Sequence, residues 1–160
     1  MGLKIACIQL TSGADIAANI ARIEVLVKSA AAQGAKFVAF PENAFYMRAE
    51  GQAAPPKYTL ATHPGAKAAS AMAKQHGLWL LAGSIATIPS LRNDKKSYNR
   101  SLLFNPQGKI AAQYDKIHLF DYGALRESNS VEAGKQIIPP VNTVVGRVGL
   151  SICFDVRTEF

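Results

Sequence analysis

The first forty residues constrain the fold most, because a strand pattern, a helix pattern and a second strand pattern follow one another. Residues 3–10 (LKIACIQL) are largely apolar, which predicts a strand buried on both faces. Asp15 is a suitable N-cap for a helix whose apolar residues recur at helical spacing until Gly34. A second strand over 36–40 ends at Pro41. This order is the βαβ unit, which favours parallel pairing and an α/β fold.

The middle of the chain adds antiparallel strands. Residues 64–76 predict a second helix ended by Gly77, and residues 78–85 predict a third, deeply buried strand. Two further strands, 98–105 and 109–116, are joined by an Asn-Pro-Gln-Gly turn and therefore form a hairpin. We expect a mixed sheet.

Two long segments without a clear period, 42–60 and 117–140, predict loops, and a loop of this length often covers a site. The last predicted element is a hairpin whose second strand, 148–152, ends at Cys153. A sharp turn can present such a side chain beside unpaired backbone N–H groups, where a nucleophile would be useful. Taken alone, the stretch favours a buried cysteine acting as a small hydrophobe.

Composition narrows the class of protein. With 160 residues, 49% hydrophobic and 18% charged, the chain has the make-up of one globular domain. The net charge of +7 raises the question of nucleic acid, but the basic residues are scattered. The densest group, Arg92, Lys95, Lys96 and Arg100, includes Asp94, so we interpret it as a solvated loop and expect no nucleic-acid partner.

Other sequence features bear on location and cofactors. Two cysteines do not make a disulfide framework, and no apolar run approaches the roughly 20 residues of a membrane span. We therefore expect a cytoplasmic protein with no membrane partner. No cluster has metal-ligand spacing and no glycine-rich phosphate loop is present, so we expect no metal and no cofactor.

Three reactive side chains follow predicted strands. Glu42 comes after the second strand, Lys116 closes the second strand of the 98–116 hairpin, and Cys153 closes the last strand. Sites in sheet proteins gather at strand ends. A carboxylate can take the proton of a thiol, and an ammonium can favour the thiolate and hold an oxyanion. Together these three side chains would let the thiol attack a carbonyl or nitrile carbon, expel a leaving group and form a thioester that is then hydrolysed. Singly, Glu42 and Lys116 also fit surface charges.

Other candidates are weaker. Ser151 lacks the second glycine of a hydrolase elbow, so we interpret it as a packed hydroxyl. His118 could form a Cys–His dyad with the nucleophile, but it fits better as a pocket-lining or hydrogen-bonded structural residue. We expect His63 and His76 at the surface and Cys7 in the core.

Three segments resemble the signature segments of the nitrilase superfamily, the carbon–nitrogen hydrolases. They are 40–44 (FPENA), 114–120 (YDKIHLF) and 149–157 (GLSICFDVR), in the family's order and spacing. The resemblance implies an αββα sandwich with mixed sheets and helices on the outer faces. It also implies pairing into dimers or larger homo-oligomers.

The resemblance also implies roles for particular residues. The family's Glu–Lys–Cys triad falls on Glu42 as general base, Lys116 as oxyanion stabiliser and Cys153 as nucleophile. The Arg-Glu-Ser-Asn-Ser stretch resembles the segment with a second glutamate, so Glu127 would position Lys116 or the substrate. The backbone N–H of Phe154 would complete the oxyanion site.

Two stretches, Lys-Ile-His-Leu-Phe-Asp and Arg-Glu-Ser-Asn-Ser, look most like the amidases near omega-amidase and deaminated glutathione amidase. That likeness implies hydrolysis of the amide of a small carboxylate-bearing substrate, with release of ammonia.

The chain departs from the family after Arg157, where Thr-Glu-Phe stands in place of the usual Phe-Pro-Glu. The residues after Cys153 are too few for a stable helix. We therefore expect residues 1–160 to form a single carbon–nitrogen hydrolase domain that is incomplete at its C-terminus. Two alternatives stay open: an inactive truncated family member acting as a fragment or binding module, and a basic nucleic-acid-binding domain.

Overall fold

The structure is a computed structural model that describes residues 2–48, 57–89 and 96–158. The described strands are β1 Lys4–Cys7, β2 Ala35–Ala39, β3 Trp79–Leu81, β4 Ile85–Thr87, β5 Tyr98–Phe104, β6 Ile110–Asp115, β7 Asp121–Tyr122, β8 Leu125–Arg126, β9 Val141–Thr143 and β10 Gly146–Val148. The α-helices are α1 Ile16–Ala32 and α2 Pro64–His76, and short 3-10 helices cover Glu127–Asn129 and Cys153–Arg157. Among the described residues, neither helix has the length and apolarity that crossing a bilayer requires.

Six strands form the main sheet, in the order β1-β2-β3-β5-β4 with β6 on the other side of β5. The first three strands are parallel, whereas β5 runs antiparallel to β3, β4 and β6. The prediction of a mixed sheet is confirmed. The arrangement brings the ends of β2 and β6 and the start of β5 to one edge of the sheet.

The predicted strand 78–85 is wrong as a single element. It splits into β3 and β4, because the chain bends between them at Gly83, whose φ is +62°. A Cβ at this glycine would lie 1.8 Å from the carbonyl oxygen of Pro41. Only glycine allows this left-handed conformation and this close approach together.

Both helices pack on one face of the sheet, as their apolar faces predict. Val38 and Leu80 of the sheet contact Ile23 of α1 and Met72 of α2 in the larger core cluster. Asp15 caps α1 by accepting hydrogen bonds from two backbone N–H groups at 2.9 and 3.1 Å, as predicted. The helical ends therefore follow from local capping residues.

The second face of the sheet has a smaller core. Phe37, Leu103 and Ala112 are buried there, covered by apolar residues from the segment 138–150 that contains the β9–β10 hairpin. The layers therefore follow the order helices, main sheet and the beginning of a second β layer. This is the layer order of an αββα sandwich.

The prediction of a first strand buried on both faces is wrong. The strand β1 is shorter than expected and pairs only with β2 at the edge of the sheet. Ile5 is 54% exposed, and Cys7 is exposed rather than in the core. An alternating apolar pattern cannot distinguish a central strand from an edge strand, because pairing depends on distant residues.

The surface position expected for His63 is also wrong. Its side chain is 3% exposed and caps α2, with Nδ1 accepting hydrogen bonds from the N–H groups of Gly65 at 3.1 Å and Ala66 at 3.4 Å. Burial lowers the pKa of His63 to about 4. The imidazole is therefore neutral, as an acceptor at a helix N-cap requires.

The C-terminal third differs from the prediction in detail. The expected loop 117–140 contains the two-residue strands β7 and β8 and the 3-10 helix Glu127–Asn129. The last strand ends at Val148 rather than at Ile152, and Ser151 is exposed instead of packed. Residues 49–56 of the predicted 42–60 loop, and Arg92 and Lys95 of the basic group, lie outside the described residues.

Candidate active site

Glu42 is held at the end of β2 by a tightly constrained turn. The next residue, Asn43, has a left-handed φ of +56°, and its backbone N–H donates to Ser84 Oγ at 3.1 Å. On the other side, Gly83 packs against the carbonyl of Pro41. The carboxylate is thereby fixed while 29% of the side chain stays exposed.

Lys116 follows β6, and its side chain is only 2% exposed. Its backbone N–H donates to the carbonyl of Asn99 at 2.9 Å, and its own carbonyl accepts from Gly134 at 2.8 Å. Its Nζ donates to Glu127 Oε2 at 2.8 Å and to Glu42 Oε1 at 3.4 Å. An ammonium from one strand end is thus buried between carboxylates from two other segments.

The charges around Lys116 keep it protonated. Burial alone would lower the pKa of Lys116, but its hydrogen bond to Glu127 and the negative charges of Glu42 and Glu127 outweigh it and raise that pKa. A buried ammonium paired with carboxylates is the arrangement that makes its burial tolerable.

Cys153 lies at the tip of a strained turn. Its φ of +49° is uncommon for a residue with a side chain, and it begins the 3-10 helix Cys153–Arg157. Desolvation raises the pKa of the Cys153 thiol, followed by the charge of Glu42 and a hydrogen bond with that carboxylate, and Lys116 only partly opposes this. The resting sulfur is therefore a thiol beside a base.

Glu127 completes the polar group. Its Oε2 accepts from Lys116 Nζ and, at 2.7 Å, from the backbone N–H of Phe120. The segment is held by Asp121, whose carboxylate accepts from the N–H and the hydroxyl of Ser128 at 3.0 and 2.6 Å. The structure thus brings Glu42, Lys116 and Glu127 into direct contact around one ammonium.

Sequence reasoning missed Asn99. Its Nδ2 donates to Glu42 Oε1 at 2.7 Å and to Glu127 Oε1 at 3.3 Å, so it bridges the two carboxylates. On Glu127 it uses the oxygen that does not accept from Lys116 Nζ. The side chain is 7% exposed. The available signal was an amide near the start of an otherwise buried strand, since buried polar side chains need partners.

The remaining sequence candidates lie beside this group. The Phe154 N–H belongs to the first turn of the 3-10 helix, where N–H groups have no partner within the helix. The Phe154 ring contacts that of Phe120 edge-to-face at 5.5 Å between centroids. His118 Nδ1 lies 3.0 Å from Asp155 Oδ1 and 2.9 Å from Thr158 Oγ1. His118 is therefore hydrogen-bonded to the segment that follows Cys153.

A cavity of about 370 Å³ is lined by residues that neighbour this group in the chain, whereas Glu42, Lys116 and Cys153 are not among its lining residues. Its lining includes Asn43, which follows Glu42, and Ser130, which lies three residues after Glu127. Two of its lining residues, Arg48 and Lys57, are basic. Over the described ranges 2–48, 57–89 and 96–158, no three His, Cys, Asp or Glu side chains converge as a metal site requires.

The sequence and the fold are similar to those of known proteins. The deaminated glutathione amidase of Yersinia enterocolitica is 34% identical over 163 residues, a match that covers 96% of this chain and 55% of that protein. The crystal structure of the Caenorhabditis elegans NitFhit protein superposes with a TM-score of 0.77 at 28% identity, covering 96% of this chain and 38% of that one. The structure of Saccharomyces cerevisiae Nit3, a member of the nitrilase superfamily, shares the fold, with a TM-score of 0.78 at 24% identity, and the match covers 98% of this chain and 57% of Nit3.

The chain spans about half the length of the curated relative that it matches. The sequence model of one family, described as carbon-nitrogen hydrolase, matches residues 4–159, which is nearly the whole chain. The strained cysteine turn, the buried lysine and the carboxylates around it thus belong to a member of the carbon-nitrogen hydrolase family.

Proposed function

We propose that this chain carries the catalytic residues of a cysteine-dependent amidase. It would hydrolyse the amide of a small carboxylate-bearing substrate through a thioester on Cys153 and release ammonia. The observation that carries the proposal is the place of Glu42, whose carboxylate accepts from Lys116 Nζ at 3.4 Å and, after burial, contributes most to raising the pKa of the Cys153 thiol. Base, nucleophile and cation are the three groups that acyl transfer to a thiol needs.

The first step is proton transfer from the thiol to Glu42. Burial raises the pKa of Cys153, and the negative charges of the two carboxylates, which outnumber the single ammonium, raise it further. A thiolate beside a charged Glu42 would be repelled by it. When Glu42 takes the thiol proton it becomes neutral, so the thiolate formed in that step is not repelled. Glu42 is therefore the general base of the proposal.

In the second step the sulfur attacks the amide carbon, and the carbonyl electrons move onto oxygen. Lys116 Nζ and the Phe154 N–H are the proposed donors to that oxyanion. When the C–N bond breaks, Glu42 returns the proton to the leaving nitrogen, and ammonia departs. Water then loses a proton to Glu42 and attacks the thioester, the C–S bond breaks to release the acid, and Glu42 returns the proton to the sulfur, which restores the thiol.

The cavity lined by Asn43 supports a substrate that carries a carboxylate. Asn43 directly follows the proposed general base, and the same lining includes Arg48 and Lys57. Cations on a cavity lining favour an anionic group there. A volume of about 370 Å³ accommodates a short dicarboxylic acid monoamide.

The test uses the full chain and a short dicarboxylic acid monoamide such as succinamate. We expect ammonia release, and we expect intact mass spectrometry after rapid acid quenching to show an acyl adduct on the peptide that contains Cys153. Cys153→Ala should abolish both signals. The matched control is Cys7→Ser, because Cys7 is the other exposed cysteine and lies on the edge strand β1.

An intact fold with neither ammonia nor an adduct would contradict the proposal and favour the alternative, an inactive family member that acts as a binding module. Unchanged turnover in Cys153→Ala would exclude the cysteine mechanism altogether.

A further inference from the structure

Asp155 is a carboxylate with no exposed surface, and it accepts four hydrogen bonds. Its Oδ2 accepts from the Ile152 N–H at 2.9 Å and from the Tyr114 hydroxyl at 2.8 Å. Its Oδ1 accepts from the His118 N–H at 2.9 Å and contacts His118 Nδ1 at 3.0 Å. Four donors are about the full capacity of a carboxylate.

These donors come from two segments that carry proposed catalytic residues. Ile152 directly precedes Cys153, whereas Tyr114 and His118 stand two residues before and two residues after Lys116. One buried side chain therefore holds the turn that presents the thiol against both flanks of the residue that presents the ammonium.

The network extends beyond these four contacts. The Tyr114 hydroxyl also accepts from the Ile117 N–H at 3.2 Å, which fixes the backbone immediately after Lys116. On the other side, the Asp155 carbonyl accepts from the Thr158 hydroxyl at 2.8 Å, and that hydroxyl lies 2.9 Å from His118 Nδ1. The carboxylate of Asp155 is thus hydrogen-bonded to the segment that follows β6, and its backbone carbonyl is connected to the same segment through Thr158.

We infer that Asp155 is a positioning residue that sets the place of the Cys153 thiol relative to Lys116 and Glu42. The inference rests on the proposed function, because it assumes that these three groups act together. The left-handed φ of Cys153 is a conformation that a residue with a side chain adopts only when its surroundings impose it. The hydrogen bond from the Ile152 N–H to Asp155 constrains the residue that directly precedes Cys153.

A carboxylate is needed at this position, and an amide would not replace it. Burial alone would raise the pKa of Asp155, but the hydrogen bonds from His118, Ile152 and Tyr114 outweigh burial and lower it, so the group is charged. An asparagine has one acceptor oxygen, and its NH₂ group would face donors on one side. Asp155→Asn therefore leaves at least one backbone N–H, that of Ile152 or that of His118, facing an NH₂ group, while it keeps the shape of the side chain.

The experiment follows the alkylation of Cys153 by iodoacetamide as a function of pH, resolved by peptide mass spectrometry so that Cys7 is an internal reference. A thiol displaced from its buried place beside Glu42 should lose part of the burial and of the negative charge that together raise its pKa. In Asp155→Asn we expect the midpoint of the Cys153 profile to move down by at least half a pH unit. The Cys7 profile should not change.

Turnover should change in the opposite sense to alkylation. We expect kcat for the monoamide to fall at least tenfold in Asp155→Asn, with KM within threefold of the wild type. The matched control is Asp15→Asn, which also changes a carboxylate that accepts two backbone N–H bonds, but at the N-terminus of α1. It should leave both the profile and kcat unchanged.

A folded Asp155→Asn protein with a wild-type Cys153 profile would overturn the inference. If that variant does not fold, Tyr114→Phe decides, because it removes one donor and leaves the other three. We expect a smaller shift in the same direction, and an unchanged profile in folded Tyr114→Phe overturns the inference. Absence of wild-type turnover would contradict the proposed function alone, since the alkylation profile needs no substrate.

Discussion

The side-chain amide of Asn99 lies 2.7 Å from the carboxylate of Glu42, although 57 positions separate them in the chain. Its Nδ2 also contacts Glu127 Oε1 at 3.3 Å, so the amide oxygen must point away from both carboxylates. That oxygen is buried and has no partner among the described residues. Leaving a buried acceptor unpaired costs about 1–3 kcal/mol. The compensating interaction is that Asn99 Nδ2 donates to both Glu42 and Glu127, two carboxylates that would otherwise only repel each other.

Asn99→Asp should therefore destabilise the protein in a pH-dependent way. The new carboxylate would face Glu42 and Glu127, so its pKa in the folded state would be raised, and stability would be lost as pH rises above about 4. We expect the free energy of unfolding to fall by about 2 kcal/mol at pH 7 and by less at pH 4. Urea unfolding at the two pH values measures this. Asn142→Asp, on the exposed side of β9, should show no such difference.

Glu127→Gln should weaken the hold on Lys116 at alkaline pH. The folded-state pKa of Lys116 is raised, so its ion pairs stabilise the fold below about pH 10.5, the ordinary value, and are lost as pH rises through the higher folded value. Without the Glu127 charge we expect a loss of about 2 kcal/mol at pH 8 and alkaline unfolding at a lower pH. Circular dichroism across pH 8–12 measures this, with exposed Glu132→Gln as the control. Identical alkaline transitions in the two variants would contradict the role given to Glu127.

Gly83→Ala should damage the site more than its backbone conformation alone predicts. Gly83 and Gly123 both have left-handed φ, at +62° and +56°, but only Gly83 has a neighbour within 4 Å of an added Cβ. We expect Gly123→Ala to cost about 1 kcal/mol of stability, from the conformation alone. Gly83→Ala should cost more and reduce ammonia release, because it displaces the Pro41 carbonyl next to Glu42. Equal losses of stability and activity in the two variants would show that the close approach has no effect.

His63 should make the protein sensitive to mild acid. Its folded pKa of about 4 lies below the ordinary histidine value of 6.5, so as pH falls between those values the unfolded chain takes up a proton that the folded chain does not. The resulting loss of stability is about 3 kcal/mol over that window. His63→Asn keeps a capping acceptor without a titrating group and should flatten the dependence, as urea unfolding between pH 4 and 7 would show. His76→Asn, at the other end of α2, leaves His63 in place and should keep the wild-type slope; equal slopes in both variants would contradict the assignment.

The helices, the hairpin turns and the mixed sheet could be predicted from the sequence because each depends on residues close together in the chain. Asp15 caps α1 through groups two and three positions away, and Gly77 ends α2 in a left-handed conformation, φ +58°. The prediction of one strand over 78–85 failed because the reason for the break at Gly83 is its close approach to Pro41, a residue that follows β2. Such a contact leaves no periodic signal.

The site was predicted in part, and the part that was missed is the polar support. Glu42, Lys116 and Cys153 could be named from strand ends and from a family resemblance. Asn99 and Asp155 could not, since one lies within a strand and the other reads as an ordinary turn carboxylate. Their functions depend on what lies across the sheet or across the turn.

What the sequence by itself determined is therefore the two helices, the opening βαβ unit and the mixed character of the sheet, together with a set of candidate reactive groups. The tertiary structure decided which groups share an environment: that Cys7 lies exposed on an edge strand, that His63 is buried and neutral, and that Lys116 is enclosed by two carboxylates. The physical reason is that propensity and capping act over a few residues, whereas burial and charge depend on everything within a few ångströms, whatever its position in the chain.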